Sequence, residues 1–210
     1  MKFNTRFSLK VLRLPILLTV CVTLVMMFGS GLIDWLRFDR SAILHGQLWR
    51  LLTAHLTHLG WSHLTMNVAG LWLIWLLFGK ALSTPYWLVV LLGSALGVGL
   101  GLLAFNSDIL WYVGLSGVLH GLFVSGCLMD IRNGHRDALL LFILIVAKLA
   151  WEQVSGPLPG SESTAGGHVV VDAHLYGALS GVVLVLPALL RKRHHPQGES
   201  NSIKDVASED

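Results

Sequence analysis

Apolar residues along the chain gather into long blocks, at roughly 14–33, 62–79, 86–105, 115–129, 138–154 and 170–190. A helix needs about 20 mostly apolar residues to cross about 30 Å of hydrocarbon, so the pattern predicts six membrane spans. The fourth block is too short to cross alone. Between the first two blocks, Ile33 to Leu59 is too polar to span, yet Trp35, Leu36, Phe38, Leu48, Trp49, Leu51 and Leu52 make it amphipathic. It is expected to lie in the outer interface, where aromatic rings and snorkelling arginines are comfortable. The Gly, Ser and Pro-rich stretch from Ser155 to Gly167 predicts a mobile outer loop. Past Arg193 the chain turns polar. The domain reading is therefore a six-span domain over 1–193 and a polar, disordered cytoplasmic tail over 194–210.

Composition agrees with lipid as the solvent: 54% of residues are hydrophobic and 13% charged, where a soluble domain carries about 25% charged residues. Cys21 and Cys127 both lie within apolar blocks and suggest no disulfide framework. The positive charges cluster at the ends of blocks. Lys2, Arg6, Lys10 and Arg13 precede the first block, Lys80 follows the second, Arg132 and Arg136 separate the fourth and fifth, and Arg191, Lys192 and Arg193 close the sixth. With six spans these all fall on one side, which the positive-inside rule makes the cytoplasm and which puts both termini there. The other side has Arg37, Arg40 and Arg50 in the first connection. A bacterial-type inner membrane is the expected location. No stripe of basic residues points to nucleic acid, so the basic balance reads as membrane orientation. The first block resembles a signal peptide in its basic start, but its apolar run is long and lacks an A-x-A site, which favours an uncleaved anchor.

Polar side chains within a bilayer are costly, and each is a functional candidate until a duller role is found. Counted from the charged cytoplasmic end of each block at 1.5 Å per residue, Ser116 lies roughly 20 Å up, His174 and His63 roughly 24 Å, and Asn67 roughly 18 Å. Separate helices thus bring a hydroxyl, two imidazoles and an amide to one level. If the 106–113 segment dips into the protein, the short fourth helix starts within the membrane, leaving unpaired N–H groups and a positive dipole end beside Ser116. Such groups stabilise an oxyanion. Gly114 and Gly117 flank Ser116 and are expected to let a substrate backbone approach. Gly117 with Gly121, and Ala173 with Gly177 and Gly181, form small-residue rows that let helices pack tightly. Their contact would carry the His174 imidazole to Ser116, which a serine nucleophile requires. Taken singly, Ser116 beside glycines reads as packing, His174 as a hydrogen-bonded core histidine and Asn67 as interhelical glue.

At these residues the chain resembles the rhomboid intramembrane proteases. The family's outer-loop WR element matches Trp49 and Arg50, its H-x-x-x-N element His63 and Asn67, its G-x-S-G element Gly114 to Gly117, and its H-x-x-G-x-x-x-G element His174, Gly177 and Gly181. The resemblance spans about residues 45–190. It implies an all-α, six-helix bundle with an interfacial loop between the first two helices and a short central fourth helix. It further implies Ser116 and His174 as a catalytic dyad, His63, Asn67 and the Ser116 N–H as oxyanion hole, His58 as a structural histidine, and no cofactor or metal. Where many members carry an aromatic residue four after the serine, this chain has His120, which lies one turn deeper on the same face and could orient His174 or merely fill space. His120, the GLSGVLHG and HLTHLGWSHLTMN stretches and the small size look like the rhombosortase branch. That branch implies transmembrane protein substrates with a C-terminal Gly-Gly-type sorting signal, with removal of the tail and transfer to an amine among the outcomes.

Lys148 reads as a snorkelling lysine paired with Glu152, or as a substrate contact near the acyl-enzyme. Asp172 points to a different helix face from His174 and is not assigned. The rival functions are a haem or zinc site built from histidines, a catalytically silent rhomboid-like binder of membrane proteins, and a transporter. Neither an HExxH motif nor a ligating cysteine pair supports the first, the presence of both Ser116 and His174 speaks against the second, and no broken-helix repeat supports the third. A generic rhomboid protease with other substrates remains the alternative to the sorting branch.

Overall fold

In the computed structural model, residues 9–191 are described. The 194–210 tail and the charges Lys2, Arg6, Lys192 and Arg193 lie outside the described residues. The chain runs as α1 (Leu9–Met27), α2 (Ser30–Leu36), β1 (Phe38–Asp39), α3 (Arg40–Leu44), α4 (Arg50–Thr53), a 3-10 turn (Ala54–Leu56), α5 (Trp61–Phe78) and α6 (Thr84–Phe105). After these come β2 (Trp111–Tyr112), α7 (Ser116–Arg132), α8 (Asp137–Ser155), α9 (Ser161–Ala165) and α10 (Val171–Leu190). Each apolar block has its helix. By length and composition, α5, α6, α8 and α10 can cross a membrane, while the apolar part of α1, Val11–Met27, is shorter. The first block, expected to run unbroken to residue 33, instead ends at Met27 and a separate helix starts at Ser30.

Helix α7 sits at the centre, touching α5, α6, α8 and α10. Small residues make this possible. A Cβ at Gly117 would lie 2.7 Å from the Ala173 carbonyl oxygen, and Cβ atoms at Gly177 and Gly181 would collide with the carbonyls of Gly117 and Gly121. The two backbones therefore touch along a seam in which Ser125 Oγ also donates to the Gly181 carbonyl at 3.1 Å. Around the seam a core of Trp75, Phe78, Trp87, Leu71 and Leu122 fills the space between α5, α6 and α7. The α1 helix packs there too: Leu18 and Val22 join this core, and Trp75 Nε1 donates to the Val11 carbonyl at 2.8 Å.

The outer connection is more ordered than its composition suggests. Trp35, Leu44, Leu48, Trp49 and Leu52 remain exposed, as an interfacial layer requires. Two of the arginines, Arg40 and Arg50, however, do not snorkel outward as expected. Buried Arg50 donates from Nη1 to the carbonyls of Asp34 and Arg37 at 2.8 Å each and from Nε to Gln47 at 2.7 Å. Arg40 reaches the end of α6, donating to the carbonyls of Leu102, Leu103, Asn106 and Ile109 at 2.7–3.1 Å. Carbonyls at a helix C-terminus lack intrahelical donors, so a guanidinium fork satisfies several at once. A two-stranded ribbon pairs Phe38 with Tyr112 and Asp39 with Trp111, antiparallel, tying this connection to the loop before α7.

The stretch from Ser155 to Gly167, expected as a mobile outer loop, contains a short helix. Gly156, at φ 79°, ends α8 in a conformation that favours glycine, and α9 follows, held by Ser62 Oγ donating to the Thr164 carbonyl at 2.6 Å.

Candidate active site

The segment before α7 descends from β2 and turns at Gly114, whose φ of 128° suits glycine. Its N–H donates to the Ala54 carbonyl at 3.2 Å, and its carbonyl accepts from the Tyr112 hydroxyl at 3.0 Å. The buried His55 ring lies between two carbonyls, with Nε2 2.9 Å from Ala95 and Nδ1 3.2 Å from Gly114. Burial lowers the His55 pKa and raises that of Tyr112 to about 12, so both act as neutral groups.

Held this way, α7 starts at Ser116 itself. The first N–H groups of a helix have no partner within it, which puts Ser116 at the positive dipole end. Ser116 Oγ lies 3.0 Å from His174 Nε2, on α10 across the seam. Ser116 is half-buried and His174 buried.

His120, one turn below Ser116, stacks on His174 with ring centroids 4.2 Å apart and planes 17° apart. Its Nδ1 donates to the Ser116 carbonyl at 2.8 Å.

Lys148 and Glu152 stand one turn apart on α8, and both face the same imidazoles. Lys148 Nζ is 2.7 Å from Glu152 Oε2, 2.7 Å from His120 Nε2 and 3.1 Å from His174 Nδ1. The snorkelling reading of Lys148 is thereby corrected, because its amine turns inward to the site. Glu152 Oε2 is 2.9 Å from His174 Nδ1. This contact was missed: the sequence paired Glu152 with Lys148 alone, although a second charge in an apolar block was a signal in itself. His120, Glu152 and His174 also offer ligand atoms within 4.8 Å of one another, a spacing that could hold a metal ion. Lys148 Nζ is within hydrogen-bonding distance of all three, so a cation already lies among them.

His63, in the first turn of α5, leans its ring on Gly114, where a Cβ would come 2.8 Å from His63 Cε1. Asn67, a turn along, donates one Nδ2 proton to the His63 carbonyl at 3.0 Å, leaving its second proton for another acceptor. His58 meets His63 edge to face, with centroids 5.1 Å apart. Burial and then the His63 charge lower the His58 pKa to about 3.

One of the two sequence readings of Gly117 changes, and the exclusion of Asp172 stands. Gly117 does not make room for a substrate; it faces Ala173 in the α7–α10 seam, as Gly121, Gly177 and Gly181 do. Asp172 is turned away, engaging Asn106, which also accepts from the Tyr176 hydroxyl at 2.8 Å.

Chemically, a hydroxyl at hydrogen-bond distance from an imidazole at the N-terminus of a helix can attack a carbonyl and meet the negative charge that develops with the positive end of the dipole. A family model described as Rhomboid domain matches residues 45–191. No curated protein matches the chain.

Proposed function

The chain belongs to the rhomboid family of intramembrane proteases, and we propose that within it this is a working serine protease whose nucleophile is Ser116 and whose general base is His174. The observation that carries the proposal is the 3.0 Å contact between Ser116 Oγ and His174 Nε2 from two helices. As Oγ bonds to the carbonyl carbon of a membrane-anchored substrate, its proton passes to Nε2. The oxyanion is held by the Ser116 N–H with His63, which leans on Gly114, and Asn67, one turn along from it. Collapse breaks the C–N bond, the leaving amine takes the proton from Nε2, and the acyl group stays on Ser116 until a second nucleophile releases it.

The bundle is read as crossing the membrane six times, with α7 completed by the segment above it and both termini in the cytoplasm of a bacterial-type inner membrane. The substrate is read as a transmembrane protein bearing a Gly-Gly-type C-terminal sorting tail. His120 supports this narrower rhombosortase reading, since it stands on His174 where other members carry an aromatic residue. An amine in place of water at the acyl-enzyme would transfer the trimmed protein rather than release it.

The test is labelling by an active-site fluorophosphonate together with cleavage of a single-span reporter in proteoliposomes. Wild type is expected to be labelled on Ser116, and Ser116→Ala and His174→Ala are each expected to lose cleavage at unchanged abundance. Cleavage by Ser116→Ala would overturn the assignment. For the sorting reading, mass spectrometry of the product's new C-terminus decides: equal processing of a reporter without the Gly-Gly motif would leave a generic rhomboid protease.

A further inference from the structure

The hydrogen bonds around His174 dictate where its proton lies. His120 Nδ1 faces the Ser116 carbonyl oxygen at 2.8 Å, an atom that only accepts, so this nitrogen holds the His120 proton. A neutral His120 then presents a lone pair at Nε2, which Lys148 Nζ meets at 2.7 Å as donor. Lys148 donates also to Glu152 Oε2 at 2.7 Å, compensating the carboxylate in its buried position. Glu152 Oε2 lies 2.9 Å from His174 Nδ1, and a carboxylate has no proton to offer, so Nδ1 must supply it. His174 Nε2 is thereby left with its lone pair towards Ser116 Oγ.

We propose that Glu152 is a positioning residue that sets the reactive tautomer of His174, completing a Ser116–His174–Glu152 series held in place by the Lys148 ammonium. The proposal rests on the reading of Ser116 and His174 as nucleophile and base. Lys148 is at once support and rival. Its Nζ is also 3.1 Å from His174 Nδ1, and a proton donated there would fix the opposite tautomer, with an N–H aimed at the serine. Glu152 prevents this by engaging both Lys148 and Nδ1. A second dipeptide-spaced acid would not do so: Asp172 on α10 is committed to Asn106.

The consequence is an ordering that a simple ion pair would not produce. Glu152→Gln replaces a carboxylate that can only accept with an amide that can also donate to Nδ1, and leaves Lys148 free to donate there, whereas Lys148→Met combined with Glu152→Gln removes the ammonium and leaves no charge unpaired. The measurement is the rate of fluorophosphonate labelling of Ser116, with kcat and KM for the reporter, normalised to folded protein by size-exclusion in detergent. Loss of the acid of a Ser-His-Asp triad lowers kcat about 10⁴-fold through the wrong tautomer. Glu152→Gln is therefore expected to lose about 10²–10⁴-fold in labelling and kcat with KM little changed. The double variant is expected to recover part of this but to stay at least about tenfold below wild type, and Glu152→Asp to restore more than Glu152→Gln. Wild-type labelling by the double variant would reduce the pair to a structural contact and overturn the proposal. Failure of the wild-type protein itself to label at Ser116 would instead overturn the protease reading beneath it, so the two failures are distinguishable.

Discussion

Gly177→Ala perturbs the site without touching a reactive atom. The added Cβ would be driven into the Gly117 backbone carbonyl, one residue past Ser116 on the facing helix. Carbon atoms rest about 3.5 Å from such neighbours, so α7 and α10 must separate there by on the order of 1 Å. Overpacking of this kind costs about 1–3 kcal/mol of stability. The larger effect falls on chemistry, because Ser116 and His174 ride on the two helices being parted and their 3.0 Å contact has no slack. A misplacement of about 1 Å costs about 10²-fold in rate. Thermal unfolding in detergent, followed with fluorophosphonate labelling and reporter cleavage, separates the two. The expected result is a folded protein, modestly less stable, whose labelling and kcat have fallen about 100-fold. Labelling at the wild-type rate with unchanged stability would refute the idea that the seam sets the Ser–His distance.

Arg50→Ala should act on stability instead. It would remove two hydrogen bonds from a charged donor to the carbonyls of Asp34 and Arg37, at about 1.5–3 kcal/mol each; an unchanged midpoint of thermal unfolding would show that water replaces the guanidinium. His58 predicts a pH dependence. Its folded pKa of about 3 lies below the ordinary 6.5, so the unfolded chain binds the proton first and the stability His58 contributes, full above pH 6.5, is lost as pH falls from 6.5 towards 3. Neither ring nitrogen has a hydrogen-bond partner among the described residues. His58→Phe is therefore tolerated, and its stability between pH 7 and 5 should fall less steeply than that of wild type; equal slopes would contradict the assignment.

The helices and the hydroxyl–imidazole meeting were legible because both follow from one-dimensional quantities. Apolar block length marks the helices, and rise per residue puts Ser116 and His174 at one level. The small-residue rows of α7 and α10 likewise named their own partner. What depended on rotation about a helix axis was not legible. Lys148 and Glu152 are neighbours in any helix, but only the packing of α8 on α7 and α10 decides that they face His120 and His174 rather than the interface. Arg40 and Arg50 looked interfacial because their acceptors are carbonyls, which every sequence has and none advertises. Gly117 carried two readings for a similar reason, since a missing side chain makes room on every side; the packing of α7 on α10 uses it for the helix seam rather than for a substrate.

The peptide unit at Gly114 is gripped from both ends, its N–H by Ala54 and its carbonyl by Tyr112, with His63 leaning on its α-carbon. The turn that aims the first amides of α7 is thus rigid before any ligand arrives. Its ordering entropy is met once, during folding, rather than afresh in every catalytic cycle. Dipoles fixed in this manner need no reorientation as charge builds on a bound carbonyl.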